Sequence, residues 1–267
     1  MPKTPRYRNI PIYMNIFSST LRKLTRKAGY TITRCQKANG YPLDFSEVEI
    51  ALVEKVKPYT MTTPERVHAL IHSLAYIHRN GIEGDIVECG VWRGGSMIAA
   101  AQTLQSLGDT SRNLWLYDTF EGMSAPTEHD VSSKGTKATD KFVKRQTGED
   151  TSDWCLASIG EVTANVTATG YPKENLRFIK GKVEATLPAQ SPEKISLLRL
   201  DTDWYESTLH ELETLFPKLA VGGVLIIDDY GDWSGARKAA DEYFAKHSIR
   251  FHLGRIDDSA RIGVKLA

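Results

Sequence analysis

From Asp44 onward the chain alternates short apolar runs with amphipathic helical stretches, and this alternation restricts its fold more than any other feature. Asp85 to Cys89, Asn113 to Tyr117, Leu176 to Ile179, Ile195 to Leu200 and Val224 to Ile227 read as strands. The last contains no polar residue, as a strand covered on both faces of a parallel sheet requires. Ser46-Glu47-Val48-Glu49 is a capping box that opens a helix to about Lys57. Thr63 at an N-cap and Pro64 in the first turn open the next, whose apolar face is Val67, Leu70, Ile71, Leu74, Ala75 and Ile77. Further helices are expected from Gly94 through Leu104, near Lys141, over Glu161 to Thr169, over Ser207 to Leu219 with Val221-Gly222-Gly223 as its end, and over Gly235 to His247. Two last strands are expected near Ile249 to Leu253 and Arg261 to Lys265. Strands alternating with helices predict an α/β fold with a mostly parallel, Rossmann-like sheet and helices on both faces.

Charge divides the chain unevenly. Nine Lys or Arg residues precede the first acid, Asp44, which leaves 25 basic against 33 acidic residues in the remainder. Residues 1–43 therefore read as a basic arm, and 44–267 as the folded domain. Within that domain, 44–80 is expected to be a helical cap and 124–156 a lid or acceptor-binding insertion. Asn15 to Tyr30 has the pattern of a basic amphipathic helix, suited to a partner subunit or to weak contact with an acidic membrane surface. No basic groove interleaved with aromatics follows, so nucleic acid is not an expected partner. No run approaches the ~20 apolar residues of a membrane span. Three cysteines without paired spacing argue against a disulfide framework, and the expected compartment is the cytoplasm.

Ligands of such sheets bind beyond the carboxyl ends of the strands, and four strand ends here carry unusual residues. Glu88-Cys89-Gly90-Val91-Trp92-Arg93-Gly94-Gly95-Ser96 is a glycine-rich strand-to-helix turn that misses the dinucleotide spacing G-x-G-x-x-G. Glu88 would repel a pyrophosphate and attract the ammonium and sulfonium of S-adenosylmethionine (SAM). Asp118 ends the next strand, where an acid accepts hydrogen bonds from a ribose diol, and Thr119 follows it. Asp201 and Asp203 end one strand and Asp228 and Asp229 another. Four crowded carboxylates raise one another's pKa unless a cation neutralises them, and an oxygen set suits Mg²⁺ or another hard divalent ion. The alternative is helix capping, by Asp203 ahead of Tyr205 and by Asp229 or Asp232 ahead of Ser234. The seven histidines form no ligand or triad pattern. His68 and His72 are four apart on a helix, where a surface or core role is the expected one. Trp204 and Trp233 could stack on a sugar or simply pack.

Taken in order, several segments resemble the macrocin O-methyltransferase family, SAM- and Mg²⁺-dependent enzymes that methylate sugar hydroxyls of macrolides, aminocoumarins and related glycosides. They are Met61-Thr62-Thr63-Pro64-Glu65-Arg66, the Glu88 to Ser96 turn, Tyr117-Asp118-Thr119-Phe120-Glu121-Gly122-Met123, Arg199-Leu200-Asp201-Thr202-Asp203 with Tyr205-Glu206-Ser207-Thr208, and Asp228-Asp229-Tyr230. The resemblance implies a class I SAM-dependent methyltransferase sheet of seven strands, the C-terminal one antiparallel, in a homodimer. It implies SAM contacts from Tyr59, Met61, Glu88, Gly90, Ser96, Asp118, Thr119 and Ser158. It implies a metal on Asp201, Asp228 and Asp229, and a general base at Asp203. The expected partner is a small glycoside acceptor. Two other readings stand beside it: an NAD-dependent oxidoreductase, and a noncatalytic SAM-binding accessory protein of polysaccharide assembly.

Overall fold

The computed structural model describes residues 40–266, and the elements named here lie in the unit Phe45–Ala267. Residues 1–39 of the basic arm, with the helix expected from Asn15 to Tyr30, fall outside the described residues. Helix α1 (Glu47–Val56) opens on the expected capping box, in which the side chains of Ser46 and Glu49 each accept the other's backbone N–H. Helix α2 (Pro64–Arg79) starts at Thr63, whose hydroxyl accepts the Arg66 N–H. Then come β1 (Asp85–Cys89), α3 (Gly95–Ser106), β2 (Leu114–Asp118), α4 (Ala138–Arg145), a small hairpin of β3 (Gln146–Gly148) and β4 (Thr151–Ser152), α5 (Ile159–Thr167) and β5 (Leu176–Lys180). The chain continues through a short α6 (Val183–Thr186), β6 (Ile195–Leu200), α7 (Tyr205–Leu215), β7 (Leu219–Ile227), α8 (Ser234–Lys246), β8 (Gly254–Arg255) and β9 (Arg261–Val264).

Seven strands form one sheet in the order β5-β2-β1-β6-β7-β9-β8. The first five are parallel, and β9 runs antiparallel to both β7 and β8. Side chains alternate across a strand. Val87 and Cys89 of β1 join Leu198 and Leu200 of β6, Leu225 and Ile227 of β7, and Leu212, Leu215, Ala240 and Tyr243 of α7 and α8 in the main core. Glu88 therefore faces the other way, towards Ser96 and Met97 of α3.

Two expectations change. The helix from Ser207 was expected to run to Leu219, but α7 ends at Leu215 and β7 already includes Val221-Gly222-Gly223, with a bulge there: Gly222 has φ +82° and the pairing with β6 moves from Leu219 to Val224. The tail imposes this, because Gly222 N–H donates to Lys265 O (2.6 Å) and Lys265 N–H to Gly223 O (2.9 Å). Ile249 to Leu253 is not a strand. Its alternating apolar residues pack on the core without a lateral backbone partner; the Phe251 ring stacks on Phe244 with centroids 5.1 Å apart.

Candidate active site

Strand order reverses beside β1, between β2 on one side and β6 on the other, which puts a crevice at their carboxyl ends. Gly90 sits there with φ +81°, and a Cβ on it would lie 2.0 Å from the Asp201 carbonyl oxygen. Only glycine lets the two chain segments approach so closely. Gly95, at the start of α3, allows a similar approach: a Cβ there would meet the Tyr59 carbonyl at 2.6 Å. That contact lays the segment from Tyr59 to Thr62 over the start of α3. The result is a cavity of about 380 Å³, lined by Tyr59, Met61, Glu88, Gly90, Ser96, Asp118, Thr119, Asp201, Asp203, Asp228 and Asp229. Ser158 does not reach it. Its exposed hydroxyl caps α5 by accepting the Glu161 N–H.

Strand register explains the floor of the cavity. Glu88 and Arg199 are partners on adjacent parallel strands, so their side chains leave the sheet on the same face. Asp201 lies two residues beyond Arg199. Asp228 lies two beyond Ile226, the β7 partner of Arg199. The buried Arg199 guanidinium consequently donates to Glu88, to Asp201 (2.6 Å) and to Asp228. Arg66, from the first turn of α2, takes the other oxygen of Asp228. Both arginines stand in the segments that carry the family resemblance, but the sequence gives neither a role. The signal for Arg199 was a cation inside the apolar run Ile-Ser-Leu-Leu-Arg-Leu, since charge in such a strand is rarely buried without partners.

The carboxylates that converge are Asp201, Asp203 and Asp229, with ligand oxygens within 4.8 Å of one another. This differs from the expected trio, because both oxygens of Asp228 are held by the two arginines. Burial and the neighbouring Asp228 and Asp229 carboxylates push Asp201 well above its ordinary range, despite Arg199. Burial and the Asp203 carboxylate do the same to Asp229. Burial, with Asp201 and Asp228 alongside, brings Asp203 up to about 7. Asp229 Oδ2 is buried without a hydrogen-bond partner. A crowded oxygen set with an orphaned acceptor fits a hard divalent cation.

Capping does not account for these acids. The Tyr205 N–H at the start of α7 goes to Asp130 Oδ1 (2.8 Å), from the insertion, and no side chain caps α8. Asp203 has φ +67°, a left-handed conformation that asparagine and aspartate adopt more readily than other side chains. The strand is therefore not extended at Asp203, and the turn itself brings it to Asp201. Behind it, Thr202 Oγ1 donates to the buried Glu211 (3.2 Å).

At the end of β1, Glu88 Oε2 is buried and unpartnered, so it offers an acceptor to a cation such as an ammonium. Asp118 is already engaged: Oδ2 accepts N–H bonds from Val91 (2.9 Å) and Trp92 (3.0 Å), and Oδ1 one from Phe120 (2.8 Å). It ties the glycine-rich turn to the turn after β2. Trp154 and Trp233 also line the cavity. Trp204 is core, packed against both and donating Nε1–H to the Ser124 carbonyl (3.1 Å). Burial pushes the Cys155 thiol up to about 12 and the Cys89 thiol well above its ordinary value, so neither is a thiolate nucleophile at neutral pH.

This sheet, with its cavity over the acid-bearing ends of β1, β2, β6 and β7, is that of a class I SAM-dependent methyltransferase. The structure of the O-methyltransferase NovP superposes with a TM-score of 0.69 at 30% identity, covering 78% of this chain and 83% of that one. The calicheamicin methyltransferase CalS11 shares the fold at 17% identity, with a TM-score of 0.57. Residues 39–262 match the macrocin O-methyltransferase (TylF) family, and the chain belongs to it. Among its relatives are the 8-demethyl-8-(2,3-dimethoxy-alpha-L-rhamnosyl)-tetracenomycin-C 4'-O-methyltransferase of Streptomyces olivaceus, 34% identical over 74% of this chain and 72% of that protein. The demethyldecarbamoylnovobiocin O-methyltransferase of Streptomyces niveus is 33% identical over the same shares. The mycinamicin III 3''-O-methyltransferase of Micromonospora griseorubida is 31% identical over 74% and 75%. The chain is thus a SAM-dependent O-methyltransferase, and the oxidoreductase and noncatalytic readings fall.

Proposed function

We propose that the enzyme methylates a hydroxyl of a sugar in a natural-product glycoside, in antibiotic biosynthesis, with a hard divalent cation such as Mg²⁺ in the acidic cluster. The observation that carries this reading is the convergence of Asp201, Asp203 and Asp229 in the same cavity that Glu88 lines. The names of the relatives support the acceptor class: one includes a rhamnosyl group and a 4'-O position, another a 3''-O position. Asp201 and Asp229 are the residues that would hold the cation, which leaves the adjacent Asp203 for the proton. Bound there, such an ion supplies Lewis acidity that lowers the pKa of an alcohol oxygen.

The chain's own groups have separable tasks. Glu88 Oε2 accepts from the ammonium of SAM, and Arg199 holds its other oxygen in place. Asp203 takes the proton from the acceptor hydroxyl as that oxygen attacks the SAM methyl, and the methyl–sulfur bond breaks to leave S-adenosylhomocysteine. Proton removal by a positioned carboxylate contributes roughly 10²–10⁴-fold. The rings of Trp154 and Trp233 offer an apolar wall to one face of the sugar.

The test is methyl transfer from SAM to a panel of glycosides, before and after exhaustive chelation. We expect transfer to stop on chelation and return with Mg²⁺, while SAM binding persists. Full activity without metal would remove the cation, and transfer only to non-sugar hydroxyls would remove the acceptor class.

A further inference from the structure

Away from the cavity, α1 and α2 bring together three side chains to which the methyl-transfer chemistry assigns nothing. His68 and His72 stand one turn apart on α2, and Glu49 faces them from α1. Their ligand atoms lie within 4.8 Å of one another. His72 Nε2 is 2.7 Å from Glu49 Oε1, and His68 Nε2 is 3.9 Å from Glu49 Oε2. His68 Nε2 is buried and has no hydrogen-bond partner.

Both ring planes and the carboxylate are held before any ligand arrives. The His68 ring lies between Phe45 and His72, with centroids 4.1 Å from each. Glu49 Oε2 accepts from Ser46 N–H and Ser46 Oγ, each at 2.7 Å, so the capping box fixes the carboxylate with Oε1 on His72 and Oε2 towards His68. Orienting a ligand carboxylate through its second oxygen is how metal sites fix their ligands. The side chain of His72 is 53% exposed, against 15% and 17% for His68 and Glu49, so a cation has a route in and a coordination position left for water.

We propose that Glu49, His68 and His72 form a binding site for a borderline divalent transition metal of the zinc class, which clamps α1 to α2. Two imidazoles and one carboxylate suit Zn²⁺, Co²⁺ or Ni²⁺, whereas the all-oxygen cluster of the cavity suits Mg²⁺. The chain then carries two metal sites of different hardness, on separate elements.

The experiment titrates the full-length protein with Zn²⁺ against a chromogenic chelator, with excess Mg²⁺ present, and follows the histidine ring nitrogens by NMR. We expect one Zn²⁺ bound per chain, shifted ring signals from His68 and His72, and a higher melting temperature. His72→Ala should weaken Zn²⁺ by at least about tenfold, since even an outer partner of a metal ligand is worth ~10–100-fold. Glu49→Gln, which keeps the capping geometry but removes the charge, should weaken it in the same direction and serves if His72→Ala does not fold. Methyl transfer with Mg²⁺ should be unchanged in both. Absence of Zn²⁺ binding, or equal affinity in wild type and variants, overturns the site; the latter would place the ion on thiols or on the cavity acids.

Discussion

Two residues at the base of the cavity separate chemistry from support. Asp203→Asn keeps size and tolerates the same left-handed backbone, but cannot accept a proton at neutral pH. We expect kcat to fall by ~10²–10⁴-fold with SAM affinity unchanged, the usual weight of a general base, as measured by steady-state kinetics and calorimetry. Near-normal turnover would take Asp203 out of the proton transfer. Arg199 supports instead. Arg199→Met leaves Glu88 and Asp228 buried beside no strand cation, and losing one partner of a buried pair costs about 3–5 kcal/mol. Urea unfolding should show that loss, together with weaker SAM binding through Glu88. An unchanged midpoint would mean the acids relieve themselves by taking up protons.

Elements meet at the insertion. Asp130 is fully buried and holds both ends of a dock, with Oδ1 accepting Tyr205 N–H at the start of α7 and Oδ2 accepting Thr127 N–H (2.7 Å). The same stretch bonds to the start of α8, where Ser234 N–H donates to Val131 O (2.9 Å) and Ser133 N–H to Asp232 O (2.6 Å). The insertion thereby braces the two helices that follow the acid-bearing ends of β6 and β7. Asp130→Ala should cost about 0.5–2 kcal/mol as a lost cap. Thermal melts would show this, and limited proteolysis should cut 124–156 sooner. Asp130→Asn should recover some of the cap, because one amide oxygen still accepts. Equal protease resistance in all three proteins would mean that the remaining backbone bonds carry the dock.

At the scale of the molecule, the two ends of the described chain close over the same site. Asp257, in the turn between β8 and β9, accepts from Thr63 Oγ1 and Arg66 Nε, both at 2.7 Å, while Arg66 also reaches Asp228. Burial works against the Asp257 anion, but the bonds from Arg66, the Ala260 N–H and Thr63 hold its carboxyl down at about 2. An unfolded aspartate titrates near 3.9. The folded value is the lower one, so this contribution is complete above about pH 4 and is lost as pH falls through about 2. Wild type should therefore exceed Asp257→Asn by about 1–2 kcal/mol at pH 6 to 7, allowing for solvent screening. The gap should narrow between pH 4 and 2 in denaturation at fixed temperature. A gap constant with pH would assign the effect to shape and not to charge.

Local pattern was enough for much of this protein. The capping box at Ser46, the Thr63-Pro64 helix start and the strand Ile195–Leu200 depend on neighbours a few residues apart, and those relations are written in the chain itself. So were the acids after four strand ends, because strand ends in a parallel sheet gather whatever residues they carry. Which oxygen meets which cation was another matter. Asp228 is claimed by Arg66, 162 positions away, and α7 is capped from 75 positions away, although Asp203 stands closer in sequence. Register across β1, β6 and β7 aimed Glu88, Arg199, Asp201 and Asp228 at a common face, and a turn with positive φ carried Asp203 to join Asp201 and Asp229. Glu49 reached the histidine pair only because two helices pack side by side. Periodicity is a short-range property and so could be read directly; charge pairing and ligand geometry depend on distances in space, which only the folded sheet and its helices set.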